Sequence, residues 1–171
     1  IIVKSMELEK VYGEYRATLN GKEITDNDVE DILRTSKNNK ELQEVWESHK
    51  NIGPKVEKGL IEIVKLRNMV AQQLGFSNYH SMSLELSGQN PEEITALLDE
   101  LDSLTCKSFT ELKNEMDNAF SKRYNVKKEE LMPWHYQGRY FQEAPNLYPV
   151  DLDKYYADKN LEELTTNFYN S

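Results

Sequence analysis

An amphipathic stripe some thirty residues long dictates most of what this chain can become. Gly88-Gln89-Asn90-Pro91 is the sharpest punctuation in the sequence. Beyond it, apolar residues recur at helical steps through Ile94, Leu97, Leu98, Leu101, Leu104, Phe109, Leu112, Met116, Ala119 and Phe120. That period belongs to one face of an α-helix. Asn90 is placed to cap it, Pro91 takes the first helical position, and Glu93 stands where a capping box would put it. The helix is expected to run to about Arg123. At 1.5 Å per residue it would span about 45 Å, wider than a compact domain of this size. Its ends are expected to need partners outside this chain.

The rest of the sequence reads the same way, in shorter pieces. Val3 to Leu19 is a first helix, with Leu8, Val11, Tyr12 and Tyr15 on one face, and Asn20-Gly21 signals a turn. Asp26 or Asn27 caps a short helix carrying Val29, Ile32 and Leu33. Asn38-Asn39 breaks it, and Glu41 to Asn51 follows with Leu42, Val45 and Trp46. Gly53-Pro54 ends that helix and opens another, whose apolar face is Leu60, Ile63, Leu66, Val70 and Leu74, stopped by Gly75. A shorter helix covers Asn78 to Leu86. Asp151 to Ala157 can make a turn or two, and a last helix carries Leu161, Leu164 and Phe168. No β-alternation stands out. The fold class is all-α, an irregular multi-helix array with one long helix. Residues 1–171 form one helical piece: scaffold helices over 1–126, an aromatic segment over 127–150 and C-terminal helices over 151–171.

The aromatic segment breaks the helical pattern. Leu131 to Pro149, LMPWHYQGRYFQEAPNLYP, gathers Trp134, His135, Tyr136, Tyr140, Phe141 and Tyr148 among Pro133, Pro145 and Pro149, with a single glycine, Gly138. Proline removes a backbone donor and fixes φ, so no regular helix runs through unbroken. Aromatics with polar tips suit a surface that is partly apolar and partly wet. Two readings of Trp134-His135-Tyr136-Gln137 stand. It is an aromatic plug between helices, or a wall offering ring faces, an imidazole and an amide to a ligand.

Composition narrows the function classes. The formal net charge is −9, and the basic pair Lys127-Lys128 runs straight into Glu129-Glu130. Phosphate binding needs a basic stripe, so nucleic acid is excluded as a partner. No apolar run approaches the roughly 20 residues of a membrane span. Cys106 is the only cysteine. It cannot form an internal disulfide, which points to a reducing, cytoplasmic setting. In mid-helix it is expected to serve packing, since no base stands near to make it a nucleophile. His49, His80 and His135 include no pair at i, i+4 and no His-Glu-x-x-His zinc helix, and His49 lies where a helix end favours a cation. There is no phosphate loop and no nucleophile elbow. No catalytic residue and no metal ligand is assigned within the chain.

Three stretches carry a family likeness. LQEVWESHKNIGPKV, then IVKLRNMVAQQLGFSNY, then LMPWHYQGRYFQEAPNLYPVDLDKYY resemble bacterial members of the peptidyl-dipeptidase A family, zinc metallopeptidases related to angiotensin-converting enzyme. The likeness runs from about Val29 to Ser171, and PWHY…FQEAP is its most specific part. It implies an almost wholly helical peptidase with a deep cleft between two halves. Catalytic zinc would sit on a His-Glu-x-x-His helix and a downstream glutamate, and act on a bound water. Those ligands would lie C-terminal to Ser171. The chain is then expected to be an incomplete N-terminal portion, supplying scaffold and part of the cleft wall. Zinc is a cofactor of the parent enzyme, the remainder of that enzyme is a partner, and an oligopeptide is the substrate. The resemblance implies peptide contacts from Trp134, His135, Tyr136 and Gln137, with Phe141 behind them. The family's carboxylate-holding glutamine falls on Tyr136 here, with Gln137 one residue further. The arginine that helps hold chloride in the animal enzymes is replaced near Leu84. The rival reading is a self-contained, non-catalytic helical module that binds peptide or protein.

Overall fold

Local capping chemistry decides where each helix begins. The computed structural model describes residues 1–142, 144–148 and 153–170. Expectations for Pro149 and for the start of the turn at Asp151 lie outside these. Helix α1 spans Ile2–Glu14 and stops earlier than its pattern predicts, because Tyr15 turns extended. Ala17–Leu19 (β1) instead pairs antiparallel with Lys22–Ile24 (β2), with Ala17 opposite Ile24. Asn20 and Gly21 both take positive φ, 52° and 76°, as a two-residue hairpin turn demands. Strands of three residues are too short for alternation to show in sequence.

Helix α2 spans Asp26–Thr35 and is capped by Thr25, not by Asp26 or Asn27. Thr25 and Asp28 satisfy each other's backbone N–H groups in a capping box. Helix α3, Asn39–Lys50, takes its cap from the Asn38 side chain. Helix α4, Ile52–Gln73, follows after the single residue Asn51. The break therefore falls two residues before Gly53-Pro54, and Pro54 sits in the first turn, where no N–H is needed. Gly75, at φ 90°, closes α4, with the Phe76 N–H reaching back to the Ala71 carbonyl at 3.0 Å.

Helix α5 covers Tyr79–Leu86, capped by Asn78. Helix α6 is the long one, 34 residues over Pro91–Tyr124. The Asn90 side chain accepts from the N–H groups of Glu92 and Glu93, at 2.9 and 3.1 Å. Its far end turns at Asn125 in the left-handed region. Helix α7 covers Leu161–Asn170.

The core gathers at the C-terminal end of α6 rather than along it. Val29 and Leu33 of α2, Leu42 and Val45 of α3, Ala17 of the hairpin, Phe120 and Tyr124 of α6, and Trp134 pack together. Upstream, the α6 stripe is bare: Leu97, Leu98, Leu101, Leu104, Phe109 and Leu112 are all exposed. Helix α1 lies along α4, where the Leu8 side chain meets Gly59. Among the described residues, no helix is long and apolar enough to cross a membrane.

Candidate functional site

The aromatic segment is folded by short 3-10 turns. Lys128–Glu130 forms one, closed by the Glu130 carboxylate accepting from the Lys127 N–H at 2.9 Å. Pro133–Tyr136 forms the next. A 3-10 turn has three residues per turn, so successive side chains point in different directions. Four neighbours cannot all face one ligand. Trp134 and His135 turn inward and are 9% and 2% exposed, while Tyr136 is half-buried, its ring edge-on to Phe120 at 5.7 Å. Trp134 packs edge-on against Trp46, with centroids 6.1 Å apart. His135 lies against Tyr124 at 4.8 Å.

Both nitrogens of His135 are engaged. Nδ1 accepts from the Met132 N–H at 2.8 Å, so Nε2 carries the proton and donates to Asn39 Oδ1 at 3.3 Å. Burial pushes its pKa below the usual range, which keeps the ring neutral. Asn39 in turn donates to the Tyr124 carbonyl at 3.2 Å. The imidazole is a strut between the segment, α3 and α6.

Tyr136 opens onto a groove of about 660 Å³ between α6 and the segment. Phe109, Leu112 and Met116 line it from α6; Met132, Tyr136 and Phe141 line it from the segment. Lys113 is the one charged side chain among the described lining residues. Its ammonium donates to Asp117 Oδ1 at 2.5 Å and to the Tyr136 hydroxyl at 2.8 Å, and that hydroxyl donates to the same carboxylate oxygen at 2.7 Å. Burial works against both charges, but these hydrogen bonds outweigh it. The Lys113 pKa is raised and the Asp117 pKa lowered, so the pair stays ionised and mutually neutralised.

Beyond Tyr136 the chain reverses. Gln137 and Phe141 both take positive φ, 62° and 57°. Gln137 faces away from the groove and lines a polar cleft with Arg139, Glu30 and Arg34. Its Oε1 accepts from the Asn146 N–H at 2.8 Å. A strap then ties the segment to three helices. Arg139 pairs with Glu30 at 2.6 Å and Asp26 at 3.0 Å, both on α2. Lys50 of α3 donates to the Arg139 carbonyl at 2.6 Å and lies over the Tyr140 ring. The Tyr140 hydroxyl meets His49 Nε2 at 3.1 Å and also contacts the Tyr12 hydroxyl of α1. Burial, then the Tyr12 hydrogen bond, pushes the Tyr140 pKa up to about 12.

The family model for peptidase M2, angiotensin-converting enzyme, matches residues 2–170. The chain belongs to this family. No curated protein and no solved structure gave a significant match. Zinc is the metal that membership brings to mind, and the donor set here does not fit it. His49 and His135 are buried and each hydrogen-bonded within the fold. Among the described residues, no three His, Cys, Asp or Glu side chains gather closely enough to hold an ion.

Of the five expected peptide contacts, Tyr136 and Phe141 line the groove, Gln137 lines the polar cleft behind it, and Trp134 and His135 lie beneath. Cys106, expected to pack, is exposed on α6. His49 stands in the last turn of α3, where sequence places it, but its ring is buried and feels the cations Lys50 and Arg139. Burial chiefly, and then those two cations, depress its pKa. Sequence reasoning missed Lys113, Asp117 and Arg139. Lys113 and Asp117 do carry a signal, the i, i+4 spacing of an ion pair on a helix. Arg139 carries none, because its partners lie more than a hundred residues upstream.

Proposed function

We propose that this chain forms the scaffold and one wall of the substrate cleft in a zinc-dependent peptidase that cleaves oligopeptides, by peptidyl-dipeptidase or oligopeptidase action. The observation that carries this reading is the family match over residues 2–170. The open groove beside the aromatic segment supports it, since its volume suits a peptide side chain and its neighbours. Tyr136 and Phe141 touch the peptide directly. Trp134 and His135 fix the wall from below, and Gln137 pins the reversal that presents Phe141. Zinc and the hydrolytic groups come from outside this chain, in the remainder of the parent enzyme. A reducing, cytoplasmic setting accords with a single cysteine left exposed on α6.

The test is a peptidase assay with metal analysis on the 171-residue chain and, beside it, on a protein that joins the chain to a His-Glu-x-x-His half. The chain alone is expected to bind oligopeptide, hold no stoichiometric zinc and release no product. The joined protein should hydrolyse peptide, and Tyr136→Ala should raise its KM more than it lowers its melting temperature. Zinc at one equivalent with turnover by the chain alone would overturn the assignment. Peptide binding without turnover in the joined protein would favour a binding module instead.

A further inference from the structure

We infer that the groove between α6 and the aromatic segment receives an apolar side chain of the peptide, aromatic or long aliphatic, and does not anchor a carboxylate. This rests on the reading of that groove as peptide wall. Its surface argues for the ligand class. Phe109 and Phe141 offer ring faces, Leu112 an aliphatic floor, and Met116 and Met132 flexible thioethers that adapt to varied shapes. The only cation among the described lining residues is already spoken for. Lys113 sits 2.5 Å from Asp117, with Tyr136 bridging both, so an incoming anion would meet a neutral ion pair. It would also face the Asp117 carboxylate within a few ångströms of the ammonium it sought. Displacing Asp117 would leave that carboxylate partly desolvated and unpaired, which opposes the exchange. An apolar side chain needs no such exchange, and gains by leaving water.

Lys113, in this account, is a positioning residue. It fixes the Tyr136 hydroxyl, and its ammonium lies 4.6 Å from the centroid of that ring. The ring wall is therefore held by the same contacts that silence the charge.

N-acetylated tetrapeptides that differ at one position, Phe, Leu or Glu, each made as free acid and as amide, provide the test by calorimetric titration of the chain. The Phe and Leu peptides are expected to bind about tenfold or more tightly than the Glu peptide. Acid and amide forms should agree within about twofold. Asp117→Asn frees the ammonium, and should raise affinity for the Glu peptide and for the free acids several-fold. Lys113→Met keeps the apolar stem but releases the Tyr136 hydroxyl and leaves Asp117 unpaired, so it should weaken the Phe and Leu peptides several-fold without strengthening the Glu peptide. Circular dichroism checks that both variants fold. A tenfold preference for free acid over amide, or for Glu over Phe, would overturn the inference while leaving the peptide wall standing, and so would unchanged selectivity in a folded Asp117→Asn. If none of the peptides bound, the peptide wall itself would fall.

Discussion

His49 is held neutral by its surroundings, and this gives the protein a pH dependence with a definite sign. The ring is 5% exposed and faces Arg139 of the segment and its own neighbour Lys50, with Asp26 and Glu30 of α2 partly offsetting them. It binds a proton less readily folded than unfolded. The stability it governs is present above the unfolded value near 6.5, and is lost as pH falls through that value toward the lower folded one. His135 follows the same rule, with burial as the chief cause. The urea midpoint should therefore be lower at pH 5.5 than at pH 7.5, and His49→Gln should reduce that difference. An unchanged pH slope in the variant would show that His49 does not drive it. Trp134 makes a second prediction. Its burial beside Trp46 and the core means Trp134→Ala should cost about 3–5 kcal/mol in unfolding free energy, as large-to-small changes of buried aromatics do. A loss below about 1 kcal/mol, of the size typical for surface changes, would place the ring outside the core.

Most helices were legible because their signals are local. Asn90-Pro91, Asn38 and Asn78 act within a few residues of themselves, so α3, α5 and α6 start close to where composition puts them. The hairpin was not legible, since three-residue strands have no periodicity and the first helix pattern ran over them. The site was legible in part. The proline-aromatic run marked the right segment, but which rings face inward depends on 3-10 geometry that residue types do not reveal. Gly59 is an element-scale case of the same kind, unremarkable in sequence yet the contact point of α1 and α4. A Cβ there would lie 2.8 Å from Leu8 Cδ1. In a Leu8→Ala background, Gly59→Ala should stabilise the protein by about 1 kcal/mol through helix propensity. In the wild-type background the clash should cancel that gain or reverse it. Equal effects in both backgrounds, by chemical denaturation, would refute the contact.

At the scale of the whole molecule, apolar burial is lopsided. The core fills one end of α6, while Leu98 and Leu104 upstream are 59% and 69% exposed. Side chains so exposed carry little of the chain's own stability. Leu98→Lys with Leu104→Lys should shift the unfolding free energy by no more than about 0.5 kcal/mol per site. The same pair should reduce any self-association seen by light scattering, because a large bare apolar face promotes contact between molecules. A substantial drop in melting temperature would mean the stripe is covered within this chain. The one-ended grip also has a mechanical consequence. Phe120 and Tyr124 clamp the last turns of α6, so the helix acts as a lever with its fulcrum in the core. A tilt of about 5° there would carry the Pro91 end, about 45 Å away, through about 4 Å. The groove lies between fulcrum and tip, so its width would follow the swing of the long arm, which α5 also contacts.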